Sequence, residues 1–198
     1  MEIILATRNP SKAEQIRALF RGTGIGILSL DQSAIEGEAI EDGSTLEENA
    51  LKKALYAQEH AKESAWVMSD DTGIFIDALG GEPGVHAAYW GGAELSTEER
   101  MQYCLQRLAT TENRGAKFRT CVALLSPEGE RHFFYGEAHG DILKVPRGLM
   151  QPGMAYSSIF QSSENGKTLS EMSIEEENSV SHRGKAFAQV MKFLTTRQ

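Results

Sequence analysis

Three observations in this chain predict an α/β protein built on a mixed β-sheet. A short apolar strand opens the chain and runs at once into an amphipathic helix. Strand and helix patterns keep alternating through the first half. Two long apolar runs then flank a tight turn and read as a hairpin, so βα units are followed by an antiparallel stretch.

The elements follow in order. Glu2 to Ala6 reads as a buried strand, and Ser11 to Phe20 as a helix with Ile16, Leu19 and Phe20 on one face and Ser11 able to cap it. Ser44-Thr45-Leu46-Glu47-Glu48 holds two overlapping capping boxes, which start a helix near Thr45 and carry it to about Ala61. Val67 to Ser69 is a short strand, after which Asp70-Asp71-Thr72-Gly73 reads as a turn, since Asp and Gly are turn formers. Ser96 to Ala109 is helical, with Met101, Cys104, Leu105 and Leu108 inward. Phe118 to Leu125 and Arg131 to Glu137 form a hairpin around Pro127-Glu128-Gly129, and His139 to Leu143 is a further strand. The last helix spans Ser181 to Leu194 with Ala186, Phe187, Val190 and Phe193 as its apolar stripe. No repeat or linker-like stretch interrupts this order, so residues 1–198 are read as one domain.

Composition narrows the function. The 40% apolar and 24% charged fractions are those of an ordinary water-soluble globular protein. A net charge of −8 argues against a nucleic-acid-coating surface but leaves room for an anionic small molecule met by a local basic cluster. No run approaches the ~18 apolar residues of a membrane helix, and the opening segment lacks targeting features. Cys104 and Cys121 have no metal-like or redox spacing. The expected setting is a reducing cytoplasm, with neither membrane nor nucleic acid as partner.

Four segments carry candidate chemistry. Thr7-Arg8-Asn9-Pro10-Ser11-Lys12 joins the first strand to its helix, where exposed backbone N–H groups favour an anion. On the next helix, Asn49 and Lys53 lie one turn apart, and Glu48 is a neighbour of that stripe. Asp70 and Asp71 follow an apolar strand, where carboxylates are costly unless a cation meets them. A divalent metal is one such partner, and magnesium takes one or two carboxylates plus waters and substrate phosphates. Finally, Ser181-His182-Arg183-Gly184-Lys185 opens the last helix with a cation at its positive end, an arrangement that suits an anionic ligand or a base edge, with a satisfied surface Arg as the plain alternative.

Taken together, these segments resemble the Ham1/inosine triphosphate pyrophosphatase family, the dITP/XTP pyrophosphatases. The match lies in Ala6 to Lys12, Thr45 to Ala54, Ser69 to Gly73 and Ser181 to Ala186, with weaker support in Leu79 to Val85 and Lys167 to Met172. The resemblance implies an elongated, twisted mixed sheet flanked by helices, with two lobes around a central nucleotide cleft, usually in a homodimer. It implies Mg²⁺-dependent hydrolysis of deaminated purine nucleoside triphosphates (ITP, dITP, XTP) to monophosphate and pyrophosphate. By the same resemblance, Thr7, Arg8, Asn9, Pro10, Ser11 and Lys12 would hold phosphates, with Asn49 beside them. Glu41, Glu48 and Asp71 would serve the metal, with Asp70 near its waters. Asp71 would be the general base, Lys53 would contact the phosphate chain, Thr72 the nucleotide, and His182 and Arg183 the base.

The base-recognition half departs from the family pattern. Its Phe-Gly-Tyr/Trp-Asp-Pro segment reads Met154-Ala155-Tyr156-Ser157-Ser158 here, so Met154 replaces a stacking aromatic and Ser157 an aspartate. The family's lysine before the Ser-His-Arg motif falls on Glu177, and an arginine upstream falls on Tyr89. A carboxylate cannot donate to a 6-oxo group as a lysine does. Three readings follow: a pyrophosphohydrolase with altered or relaxed base preference, a weakly active nucleotide-binding sensor, or a pyrophosphatase for another modified nucleotide.

Overall fold

The computed structural model describes residues 1–197. One seven-stranded mixed sheet organises the chain in the order β2-β1-β3-β5-β6-β7, with β4 on the edge of β3. β1 (Glu2–Leu5) pairs in parallel with β2 (Gly26–Ser29) and with β3 (Trp66–Ile76). β4 (Pro83–Gly84), β5 (Gly115–Leu125), β6 (Arg131–Ile142) and β7 (Phe160–Ser162) are all added antiparallel. The helices are α1 (Pro10–Phe20), α2 (Leu46–His60), α3 (Thr97–Arg107), α4 (Ile174–Val180) and α5 (His182–Thr195). Among the described residues no helix is long and apolar enough to cross a membrane.

The largest correction concerns Asp70-Asp71-Thr72-Gly73. These residues are the middle of an eleven-residue strand and not a turn, because every residue from Val67 to Ile76 finds a register partner on β5. Pairing across the ladder overrides the local turn preference of Asp and Gly. Gly73 serves close approach rather than bending: a Cβ there would sit 2.6 Å from the Gly84 carbonyl oxygen on β4. Likewise β6 runs unbroken through Gly136 to Gly140, joining two strands expected to be separate. α1 opens at Pro10 under an Asn9 cap, so Ser11 is helical and does no capping. At α2 the Thr45 hydroxyl accepts from the Glu48 N–H, but the Glu48 carboxylate turns to the N–H and hydroxyl of Ser44. β2, β4, β7 and α4 were not legible from pattern, being short.

Strand alternation gives β3 two buried faces. Met68 joins Val122, Leu124, Ile16 and Phe187 in a core under α1 and α5. Val67 joins Cys121, Ala123, Ala50 and Ala54 in a second core under α2. Further along the same strands, Ile74, Ile76, Phe118, Tyr156 and Phe160 form a third core with α3. Asp70, Asp71 and Thr72 lie between the apolar stretches that feed these cores. Polar residues thus interrupt β3 at the waist of the sheet, where a cleft opens.

Candidate active site

A cleft with a volume of about 490 Å³ runs over this waist. One end is lined by Thr7, Arg8, Asn9, Lys12, Glu41, Lys53, Asp71 and Thr72, the other by Ala87, Leu95, Phe118, Met154, Tyr156 and Leu169. Charged groups beside apolar ones, with Thr97, Arg100, Ser157 and His182 also on the wall, suit a ligand that is ionic in one part and apolar in another.

Alternation decides what each aspartate does. Asp70 faces the α1 and α5 side, where Lys12 Nζ reaches its Oδ2 at 3.1 Å and Arg183 Nε at 3.4 Å. Its side chain is fully buried. Burial alone would raise its pKa, but Lys12, Arg183 and Lys53 outweigh that and hold the carboxyl well below the usual carboxylate range. Asp71, one residue on, faces α2. Its Oδ2 accepts from Asn49 Nδ2 at 3.2 Å and its Oδ1 from Lys53 Nζ at 3.3 Å. For Asp71 burial exceeds what the nearby lysines return, so its pKa is raised. Neighbours pushed in opposite directions divide the labour: Asp70 is a fixed counter-ion, and Asp71 is the more basic carboxylate.

Lys53 sits between two acids, with Glu41 Oε2 at 2.8 Å and Asp71 Oδ1 at 3.3 Å. Burial pulls its pKa down, yet Asp71, Asp70 and Glu41 together raise it, so it stays an ammonium. Lys12 is lowered instead, by burial and by the nearby Arg183 and Lys53. Glu48 points away to Ser44, so it does not join Glu41 and Asp71. Among the described residues no three His, Cys, Asp or Glu side chains gather as a preformed metal cage.

The other expected residues divide into those that line the cleft and those that do not. Asn49 lies behind Asp71, its Oδ1 accepting from the Gly43 N–H at 2.8 Å. Pro10, Ser11, Asn49 and Glu177, expected to contact substrate, do not line the cleft wall, nor do Glu48, expected at the metal, and Asp70, expected near its waters. Arg183, only 2% exposed, touches the wall but spends its guanidinium on Asp70 and on Gln15 Oε1 at 2.7 Å. The anion that suits its place in the first turn is therefore Asp70. His182 does line the cleft, stacked on Phe118 with centroids 4.4 Å apart. Burial, with Arg183 beside it, drops its pKa well below 6.5, so the ring is neutral, and its buried Nδ1 has no partner.

Glu177 is the clearest correction at the base end. It is 4% exposed on α4, packed beside Arg183 and Gln15, and burial raises its pKa. It therefore offers nothing to a ligand in the cleft. Ser157 lines the wall, but its hydroxyl donates to the Met154 carbonyl at 2.8 Å and meets Ser170 Oγ at 2.9 Å. Tyr156 presents its ring while its hydroxyl donates to the Ala87 carbonyl at 2.9 Å. Met154 and the half-exposed Tyr89 complete this end. Sequence reasoning missed Phe118, under His182, and Gln15, one helical turn beyond Lys12. Only the second left a trace, a polar residue at i+3 on an otherwise apolar face. Both cysteines are buried, and desolvation pushes their thiols up to about 12, so neither is a nucleophile here.

Comparison with known proteins identifies relatives along nearly the whole chain. The Ham1 family model matches residues 3–193. A dITP/XTP pyrophosphatase of Geobacter sulfurreducens is 43% identical over 188 residues, covering 94% of this chain and 92% of that protein. One from Symbiobacterium thermophilum is 40% identical, covering 97% and 94%. Among solved structures, a HAM1 protein from Coxiella burnetii superposes with a TM-score of 0.85 at 32% identity, covering 99% of both chains. A nucleoside-triphosphatase, dITP/XTP pyrophosphatase, from Mycobacterium abscessus gives 0.69 at 34% identity, covering 96% and 98%.

Proposed function

The chain belongs to the Ham1 family, and from that premise we propose that it is a nucleoside triphosphate pyrophosphohydrolase acting on deaminated purine nucleotides. The observation that carries the reading is the pair of adjacent aspartates sent to opposite faces, Asp70 held by Lys12 and Arg183 and Asp71 beside Lys53 on the cleft wall. In the proposed reaction, water attacks the α-phosphorus and the bond to the bridging oxygen breaks, giving monophosphate and pyrophosphate. Asp71, on the cleft wall beside Lys53, accepts the water's proton. Lys12 and Lys53 meet the triphosphate and offset charge on the departing pyrophosphate. The Phe118-backed His182, Met154 and Tyr156 hold the base.

Magnesium is part of this proposal. Glu41 and Asp71 already share one cation, the Lys53 ammonium, and two carboxylates completed by phosphates and waters suit the ion. Those two residues would hold it, and when bound it neutralises triphosphate charge and lowers the pKa of coordinated water. A homodimer in the cytoplasm is inferred on the same family grounds.

Base preference is the finer point. With Glu177 turned into the protein and Ser157 bonded to its own neighbours, the base end keeps few free edge-reading groups. That supports a preference relaxed relative to the family's inosine and xanthosine triphosphates. Pyrophosphate release should be measured with magnesium across deaminated, common and modified triphosphates, beside Asp71→Asn. Release from inosine or xanthosine triphosphate, lost in the variant, supports the hydrolase. Release spread over several bases supports relaxed preference. Binding without release from any of them favours the sensor and sinks the enzyme.

A further inference from the structure

Arg8 stands in the loop expected to hold phosphate, yet its guanidinium is turned to the segment between β2 and α2. Nη1 meets Asp31 Oδ1 at 2.8 Å. Nη2 donates to the Ile35 carbonyl at 3.0 Å and the Gly37 carbonyl at 2.9 Å. Nε donates to Gly37 at 3.3 Å and lies 3.5 Å from Glu38 Oε1. Nearly all of the donor fork is spent on this one segment, and two carboxylates offset its charge.

That segment carries Glu41. Tyr56 fixes it from the α2 side by donating to the Glu36 carbonyl at 2.8 Å. At Gly37, where φ is +73°, any Cβ would run into the Tyr56 hydroxyl. Further on, Asp42 pairs with Lys52 at 2.5 Å, and the Gly43 N–H is held by Asn49, which also holds Asp71. Between these anchors Glu41 reaches Lys53. A loop without regular structure keeps a carboxylate in one place only if such contacts offset its conformational entropy.

We propose that Arg8 is a positioning residue that straps the 31–43 segment so that Glu41 is presented to Lys53 and Asp71, and that it is not a phosphate ligand. The kinetic part rests on the proposed hydrolase reading; the structural part does not. Hydrogen exchange of the 36–43 segment in Arg8→Ala should quicken by about tenfold or more, with α2 and β3 unchanged. Inorganic pyrophosphate should bind within about twofold of wild type, while kcat falls by about tenfold. In Arg8→Ala/Glu41→Gln the loss should be no larger than in Glu41→Gln alone, as expected when one residue acts through the other.

Unchanged exchange, or pyrophosphate binding weakened by about tenfold, would overturn the proposal, since a phosphate ligand loses affinity directly. Losses that add in the double variant would overturn it as well. Should Arg8→Ala not fold, Arg8→Lys, which keeps charge but not the fork, carries the same readouts. If wild type hydrolyses no triphosphate, the hydrolase reading falls, and exchange with pyrophosphate binding still decides the role of Arg8.

Discussion

Replacing Asp70 with asparagine keeps the shape of the side chain and removes its charge. Lys12 and Arg183 would then face a neutral amide at 3.1 and 3.4 Å. Arg183 is 2% exposed and keeps Gln15 and the burial-raised Glu177 as its remaining neighbours. Stripping one partner from a buried ion pair costs about 3–5 kcal/mol. For a chain of this size that lowers Tm by roughly 6–20 °C. Asp71→Asn should behave in the opposite way. Its ionised form is already disfavoured by burial, so neutralising it costs much less stability than at Asp70. It should nonetheless lower kcat by about 10²–10⁴-fold, the usual worth of a general base. Urea unfolding of both variants, with pyrophosphate release measured in parallel, separates the two roles. The reasoning also fixes a sign. Because the folded pKa of Asp70 is depressed, its contribution is present above its unfolded value of about 3.9 and is lost as pH falls below it, so Asp70→Asn should flatten acid unfolding there. If Asp70→Asn unfolds within about 1 kcal/mol of wild type, or if Asp71→Asn proves the less stable, the division of roles is wrong.

Other expectations follow from the same geometry. His182 is held neutral, so the unfolded chain binds its proton first; stability should fall as pH drops below about 6.5, and less so in His182→Asn, read by thermal melts from pH 8 to 5. Glu177 is raised by burial, which reverses the sign: ionising it costs stability as pH rises from about 4.3, and Glu177→Gln should stabilise the protein more at pH 8 than at pH 4, measured by urea midpoint. Gly136 on β6 lies against the His182 carbonyl and the Ala186 N–H of α5, leaving no room for a methyl. Gly136→Ala should therefore displace the first turn of α5, costing about 1–3 kcal/mol and lowering kcat/KM, as unfolding and steady-state assays would show.

Much of the scaffold is legible in the chain because it depends on near neighbours. The Thr45 and Ser181 caps, the α3 stripe of Met101 and Cys104, and the β5–β6 turn all follow from residues a few positions apart. The chemistry-bearing segments could be picked out for a similar reason: charged and small residues interrupt apolar periodicity at strand ends and helix starts. From sequence alone came the α/β class, the family resemblance and the pairing of acidic and basic residues at a nucleotide-sized site. Tertiary structure decided how those residues share the work. Asp70 and Asp71 read as one turn until β5 pairs with them, and strand alternation then sends them to opposite faces. Arg183 reaches Asp70 across 113 positions, Arg8 on the cleft wall gives its guanidinium to a loop, and Glu177 packs inward instead of facing a base. A side chain's type is written in the sequence, but the partner that fixes its charge and direction is set by burial and by contacts between distant segments, which no local pattern encodes.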